Sequence, residues 1–500
     1  MPLPTPPFRF ARGRARLLSL ALVVVLGAAP PAALAQDNLP RLGDAAADEL
    51  SPAAERRLGE RIMRDLRRDA AVSGDVEITD YLNQLATRLT ASSPGQSFSL
   101  FPVNDPTLNA FALPGGFIGV HTGLIVAAET ESELASVLAH EIGHVTQRHI
   151  ARMLSGDRQT SLGTLAAVVL AALAARSNPQ AAAGIVTMAA GAQQQQMLAF
   201  SRDAEREADR LGLDTLREAG FDPNGMVAFF GRLQQATRSY ESSAPAYMRS
   251  HPMTVERIAD MQARVQEGRY RQHSDSVEFR LVRARLRALA DGSVDGLRTE
   301  RARFERQLRE RTTHDETAAW FGVAVAALAQ RDFDAAGKAI EETRRRLDEP
   351  HPYVERLAAQ ARLLAGDAAG ALALAQSAAE RFPSARALVH LRAESLIALG
   401  RHREAVRYLD ERLMLARSDP QLWRLQARAH AGLGQAALAH RATAEAYAID
   451  GAWLPAVEQL ELARRVGGLD FYTASQLDAR IKVFQANYTR EQEDAKAGLR

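Results

Sequence analysis

The chain has 500 residues, more than one hydrophobic core usually holds, so two or three domains are expected. A formal charge of +2, from 62 basic and 60 acidic residues, gives no field that would draw the protein to nucleic acid. Cysteine is absent, which excludes disulfides, thiolate ligands and cysteine nucleophiles together, so any metal must be held by histidine and carboxylate.

The N-terminus reads as a secretory signal peptide. Arg9, Arg12, Arg14 and Arg16 form a basic stretch, Leu17 to Ala29 is a short apolar run, and Ala33-Leu34-Ala35 is a small-x-small cleavage pattern. The run falls short of the ~20 residues that a spanning helix needs. Cleavage after Ala35 and export to a bacterial periplasm are expected, with no lipid anchor because no cysteine follows. Residues 36–50 read as a flexible leader. From Pro52 to Leu89 the apolar spacing is helical, with Leu58, Ile62, Leu66, Ile78, Leu82, Leu85 and Leu89 on the buried face. Ser93-Pro94-Gly95 breaks the pattern, and Phe98 to Val103 reads as a short strand. Pro114-Gly115-Gly116 marks a turn between two further apolar, strand-like runs.

Thr130, with Glu133 three residues on, opens the next helix as a capping box. Two Ala-rich apolar stretches follow within 162–192, each too short to span a membrane. They read as a buried or dimer-forming helical hairpin, or as one that makes peripheral contact with a membrane surface. Residues 271–490 are helical and repetitive. Gln330, Gly366, Gly400 and Gly434 recur at spacings of 36, 34 and 34, each followed five residues later by alanine, the period of tetratricopeptide repeats. Residues 491–500 read as a polar tail. Nearly all the basic residues are arginine, which reads as composition bias and not as a phosphate-binding surface.

The chemistry is concentrated in His140-Glu141-Ile142-Gly143-His144. On a helix, residues four apart share a face, so both imidazoles can reach one tetrahedral metal, with Glu141 beside its water. A third ligand six residues beyond His144 is ruled out, because Ile150 stands there. His149 is one residue short, and a five-residue helical step turns it away, so it reads as a surface histidine. Downstream, Glu205 and Asp209 lie one turn apart on a helix, suited to a ligand and to a hydrogen-bond partner of a ligand histidine. Without the histidine pair, the same acidic pair reads as a charged, solvated helix face. Glu207 points to the other side and is the weaker ligand candidate. His251, before Pro252, reads on its own as a loop histidine.

His140-Glu141-x-x-His144, Glu205-x-x-x-Asp209, the stretch Asn109 to Gly116, and Ser250-His251-Pro252 followed by Arg257 occur in that order. Together they resemble the membrane-associated gluzincins that include the HtpX and CAAX prenyl proteases. An export signal and C-terminal repeats narrow the resemblance to the BepA-like, β-barrel assembly-enhancing group. It implies an α+β, zincin-like protease domain (36–270), mostly helical with a small sheet, followed by an all-α tetratricopeptide solenoid (271–490). It implies one Zn²⁺ per chain on His140, His144 and Glu205, Asp209 behind them, and Glu141, His251 and Arg257 as catalytic-site residues, with His251 able to approach the metal at rest. The implied activity is hydrolysis of peptide bonds in unfolded, stalled or misassembled outer-membrane proteins. The repeats would recruit these clients or the β-barrel assembly complex. The competing expectation is a chaperone or adaptor that cleaves only occasionally.

Overall fold

A computed structural model of the chain describes residues 51–68, 71–72, 74–92, 95–156, 201–239, 246–268, 271–466 and 469–496. The signal peptide, the leader, the 162–192 hairpin and the last residues of the polar tail lie outside these. Among the described residues, no helix is long and apolar enough to cross a membrane.

The helical stretch expected from Pro52 to Leu89 is two helices. Helix α1 (Pro52–Arg67) starts where the Ser51 side chain accepts from Ala54 N–H, with proline in the first turn. Helix α2 (Val76–Leu89) is capped by Asp75, which accepts from Glu77 and Ile78 N–H. The intervening break is invisible to periodicity, because both helices keep an apolar face. Strands β1 (Ser99–Val103), β2 (Ala110–Leu113) and β3 (Phe117–His121) form a sheet of order β1-β3-β2, parallel between β1 and β3 and antiparallel between β2 and β3. The Pro114–Gly116 turn joins β2 to β3 as expected. Gly115 and Gly116 have φ of 77° and 87°, and a Cβ on Gly116 would lie 2.3 Å from the Ser97 carbonyl oxygen. Only glycine fits there.

After the short helix α3 (Thr122–Ala127), helix α4 (Glu131–Thr146) runs through the interior with every residue from Glu131 to Val145 buried. Thr130 caps it by accepting from Glu133 N–H, while the Glu133 carboxylate accepts from Glu129 N–H and from the Arg232 guanidinium. Helices α5 (His149–Gly156), α6 (Arg202–Glu218), α7 (Asn224–Ser239), α8 (Ala246–Ser250) and α9 (Val255–Glu267) surround it. Helix α6 packs unusually close to α4, because two glycines face the crossing. A Cβ on Gly143 would lie 3.1 Å from Ala208 O, and one on Gly212 would lie 3.0 Å from His140 N.

The repeats begin with α10 (Val277–Ala288) and continue as helices to Phe471–Lys496. Their punctuation matches the expected phase at Gly366, Gly400 and Gly434 and falls one residue later in the first unit. The left-handed positions of this series are Arg331, Gly366, Gly400 and Gly434, with φ between 60° and 91°, so the first unit uses Arg331 and not Gln330. In that phase the alanines five residues on are Ala336, Ala371 and Ala405, all fully buried, and Ala439, half-buried.

The two halves share a core. One hydrophobic cluster runs from Ile78 and Leu82 of α2 through Leu134 of α4 and Phe229 of α7 to Phe321, Val354 and Leu357 of the repeats. Ion pairs reinforce the contact. The buried Glu77 carboxylate accepts from Arg356 at 3.0 Å and 2.8 Å and also from Arg285, and Arg386 donates to Asp80 at 2.8 Å. Arginines that read as composition bias therefore fasten the repeats to α2.

Candidate metal centre

Helix α4 presents His140 and His144 one turn apart on one face, with their Nε2 atoms 3.0 Å apart. Helix α6 crosses that face and brings in Glu205, whose Oε1 is 3.3 Å from His144 Nε2 and whose Oε2 is 3.6 Å from His140 Nε2. Beyond α8, His251 closes the group. Its Nδ1 lies 3.0 Å from Glu205 Oε1 and 3.4 Å from His140 Nε2. Each of the four residues is buried and offers one ligand atom, and these atoms lie within 4.8 Å of one another. The acidic pair is thus no solvated face: Glu205 and Asp209 are each 1% exposed. His251 does lie in a loop, the one after α8, but it is buried at 1% exposure.

The second layer is as ordered as the first. Asp209 Oδ1 lies 2.9 Å from His140 Nδ1, the nitrogen facing away from the cluster. Arg257 grips the same carboxylate with Nε and Nη2 at 2.7 Å and 2.8 Å. Its Nη1 reaches Glu205 Oε2 at 2.6 Å and donates to the Pro252 carbonyl at 2.8 Å. Arg257 therefore ties α9, α6 and the His251 loop together from behind the ligand atoms. Burial opposes a charge on His140, but the Asp209 and Glu205 carboxylates outweigh it and raise its pKa to about 10.

Glu141 is fully buried, with Oε1 3.4 Å from His251 Nε2. Among the described residues neither of its carboxylate oxygens has a hydrogen-bond donor, so a buried base faces the cluster with its lone pairs uncommitted. Imidazole and carboxylate donors without thiolate, closely convergent and backed by carboxylate on the far histidine nitrogen, fit a divalent metal of the zinc type.

Two residues of the site were not anticipated. Tyr247 of α8, 1% exposed, stacks on His251 with ring centroids 4.5 Å apart at 23°, and its carbonyl accepts from His251 N–H. Nothing in its local sequence marks it. His149, expected at the surface, is 2% exposed and hydrogen-bonds through Nδ1 to His144 Nδ1 at 2.8 Å. The helical-step argument failed because α4 stops at Thr146. Arg148 takes φ 51°, and this left-handed residue folds His149 back onto the helix it has just left. Glu207 does point away from the cluster, and its Oε2 lies 3.0 Å from His149 Nε2 and 3.0 Å from Arg152 Nη1.

Residues 74–265 match the model of peptidase family M48, and residues 362–429 match a tetratricopeptide repeat model. The β-barrel assembly-enhancing protease of Escherichia coli is 30% identical over 473 residues, covering 92% of this chain and 94% of that protein. A putative β-barrel assembly-enhancing protease of Vibrio cholerae is 33% identical over 333 residues, covering 65% of this chain and 67% of its own length. The metalloprotease LoiP of Escherichia coli is 29% identical over 229 residues, covering 43% of this chain and 82% of LoiP.

Proposed function

Because the chain belongs to peptidase family M48, and within it to the group of the β-barrel assembly-enhancing proteases, we propose that it is a zinc endopeptidase acting in the periplasm on stalled or misassembled outer-membrane proteins. The observation that carries the chemistry is the buried convergence of His140, His144, Glu205 and His251 beside the uncommitted carboxylate of Glu141. His140, His144 and Glu205 would hold the zinc, which when bound would supply Lewis acidity towards water and a peptide carbonyl. Glu141 takes the proton of the attacking water and returns it to the leaving amine. Asp209 accepts the Nδ1 proton of His140 and so keeps its Nε2 lone pair turned inward. Arg257 positions Asp209 and Glu205.

Strand β2 forms one edge of the sheet, and the site helix α4 packs against it. An extended substrate backbone can add to that edge, which suits cleavage of many sequences in an unfolded client. His251 acts as a latch, holding the position that water needs and yielding it when the loop after α8 moves. The repeats recruit clients or the β-barrel assembly complex. The signal peptide accounts for the location, and the 162–192 segment for any contact with a membrane surface.

The test pairs metal analysis with Glu141→Gln. Full-length protein is expected to carry one zinc, and Glu141→Gln to keep the zinc while losing cleavage of an unfolded β-barrel protein. Cleavage at the wild-type rate by Glu141→Gln would overturn the assignment. Full biological complementation by the same variant would shift the principal role to the chaperone or adaptor.

A further inference from the structure

Helix α6 places carboxylates at 205, 207 and 209, and the first and last serve the metal cluster directly. The middle one is turned away, yet it ends on the same centre by a longer route. Glu207 Oε2 lies 3.0 Å from His149 Nε2, and His149 Nδ1 lies 2.8 Å from His144 Nδ1. His144 Nε2 faces Glu205 and His140.

The tautomers follow from these contacts. With Nε2 of His144 given to a metal, its proton sits on Nδ1. His149 must then accept on Nδ1, which puts its own proton on Nε2, where the Glu207 carboxylate accepts it. Arg152 holds Glu207 at 3.0 Å from the solvent side. The chain Glu207–His149–His144 is the counterpart of Asp209–His140, with an imidazole inserted because Glu207 leaves α6 on the wrong side to reach His144 itself. Helix geometry makes the insertion necessary: residues two apart diverge by about 200° around the axis.

We propose that His149 and Glu207 are positioning residues that fix the tautomer and orientation of His144 as a metal ligand. The proposal rests on the reading of the four-residue cluster as a metal centre. It gives a role to the left-handed Arg148, whose turn seats His149 at 2% exposure against α4. A histidine kept only to fill space would not need both ring nitrogens committed, one to a ligand and one to a carboxylate.

The experiment measures zinc affinity of the full-length chain by competition with a chromophoric chelator, together with the visible spectrum of the Co²⁺-substituted protein. His149→Ala is expected to weaken zinc binding by about 10–100-fold and to shift the cobalt spectrum. His149→Asn, whose side-chain oxygen can take the place of Nδ1, should recover most of the affinity. Glu207→Gln, still an acceptor but uncharged, should fall between them. Because Glu207 is 38% exposed, its variant is expected to fold normally and keeps the test valid if His149→Ala does not fold. Wild-type affinity and an unshifted cobalt spectrum in Glu207→Gln and His149→Asn, with no deficit in His149→Ala, would overturn the proposal. So would a drop in melting temperature of the metal-free protein with zinc affinity unchanged, since that marks packing alone. If the wild type itself takes up no zinc, the reading of the metal centre fails and not merely this refinement of it.

Discussion

Gly143, inside the His140–His144 motif, separates two effects that usually travel together. Replacing a mid-helix glycine by alanine should stabilise a helix by about 1 kcal/mol, because glycine loses more backbone freedom on folding. Here the added Cβ would lie 3.1 Å from Ala208 O and 3.2 Å from Ala208 Cα, both backbone atoms of α6. A side chain could rotate aside; a helix backbone has to translate. Overpacking of this kind costs about 1–3 kcal/mol, so Gly143→Ala should leave net stability between unchanged and about 2 kcal/mol lower. Metal binding should respond more sharply. Ala208 sits between Glu205 and Asp209, so a shift of a few tenths of an ångström carries both carboxylates away from α4, where metal-ligand distances tolerate only about 0.2 Å. Zinc affinity should fall at least about tenfold. Gly231 of α7 and Gly337 of helix Phe333–Arg344 are internal controls: a Cβ on either meets nothing within 4 Å. Their alanine variants should gain about 0.5–1 kcal/mol. The assays are denaturant unfolding of metal-free protein and chelator competition on the full chain. If Gly143→Ala gains stability like Gly231→Ala and keeps its zinc affinity, the close crossing of α4 and α6 does not set the metal geometry.

As a latch, His251 predicts that His251→Ala raises basal cleavage of an unfolded substrate. As a donor to the developing oxyanion it predicts a fall in kcat of about 10²-fold or more, so the sign of the change decides. Asp209→Asn should lower zinc affinity by about 10–100-fold without unfolding the protein, which chelator competition beside circular dichroism will check; unchanged affinity would remove Asp209 from the site. Glu77→Ala leaves the Arg356 guanidinium, 10% exposed, without a carboxylate, while Arg285 keeps its pair with Asp75. Breaking a buried pair costs about 3–5 kcal/mol. The melting temperature should drop by roughly 3–6 °C, and calorimetry should show both halves melting earlier. An unaltered melt would show that the contact between repeats and α2 carries no stability.

The histidine pair and the acidic pair were legible because residues four apart share one helix face, whereas the burial of Glu205 and the approach of His251 to it were not. A histidine pair at four residues, and Glu205 and Asp209 at four residues, can each meet one point only from one face. His149 was not legible, because its place depends on one residue, Arg148, adopting a left-handed conformation that arginine rarely takes. The same cause displaced the repeat phase: Arg331 occupies the left-handed position that glycine marks in the later units. Periodicity assigned the buried faces of α2 correctly but could not say against what they are buried. That information sits in Arg285, Arg356 and Arg386, whose carboxylate partners lie more than 200 residues away in sequence.

The continuous core also bears on the order in which the molecule can be made. Residues of α2 emerge first, yet their cluster closes only with Phe321, Val354 and Leu357. While the chain is being made, the first 270 residues therefore lack one wall of their own interior, and a nascent protease cannot mature ahead of its repeats. Chains released at residue 300 should be digested readily by an added protease, whereas those released past residue 366 should begin to resist. A peptidase whose site helix packs into this shared core would in this way stay incomplete until its repeats exist.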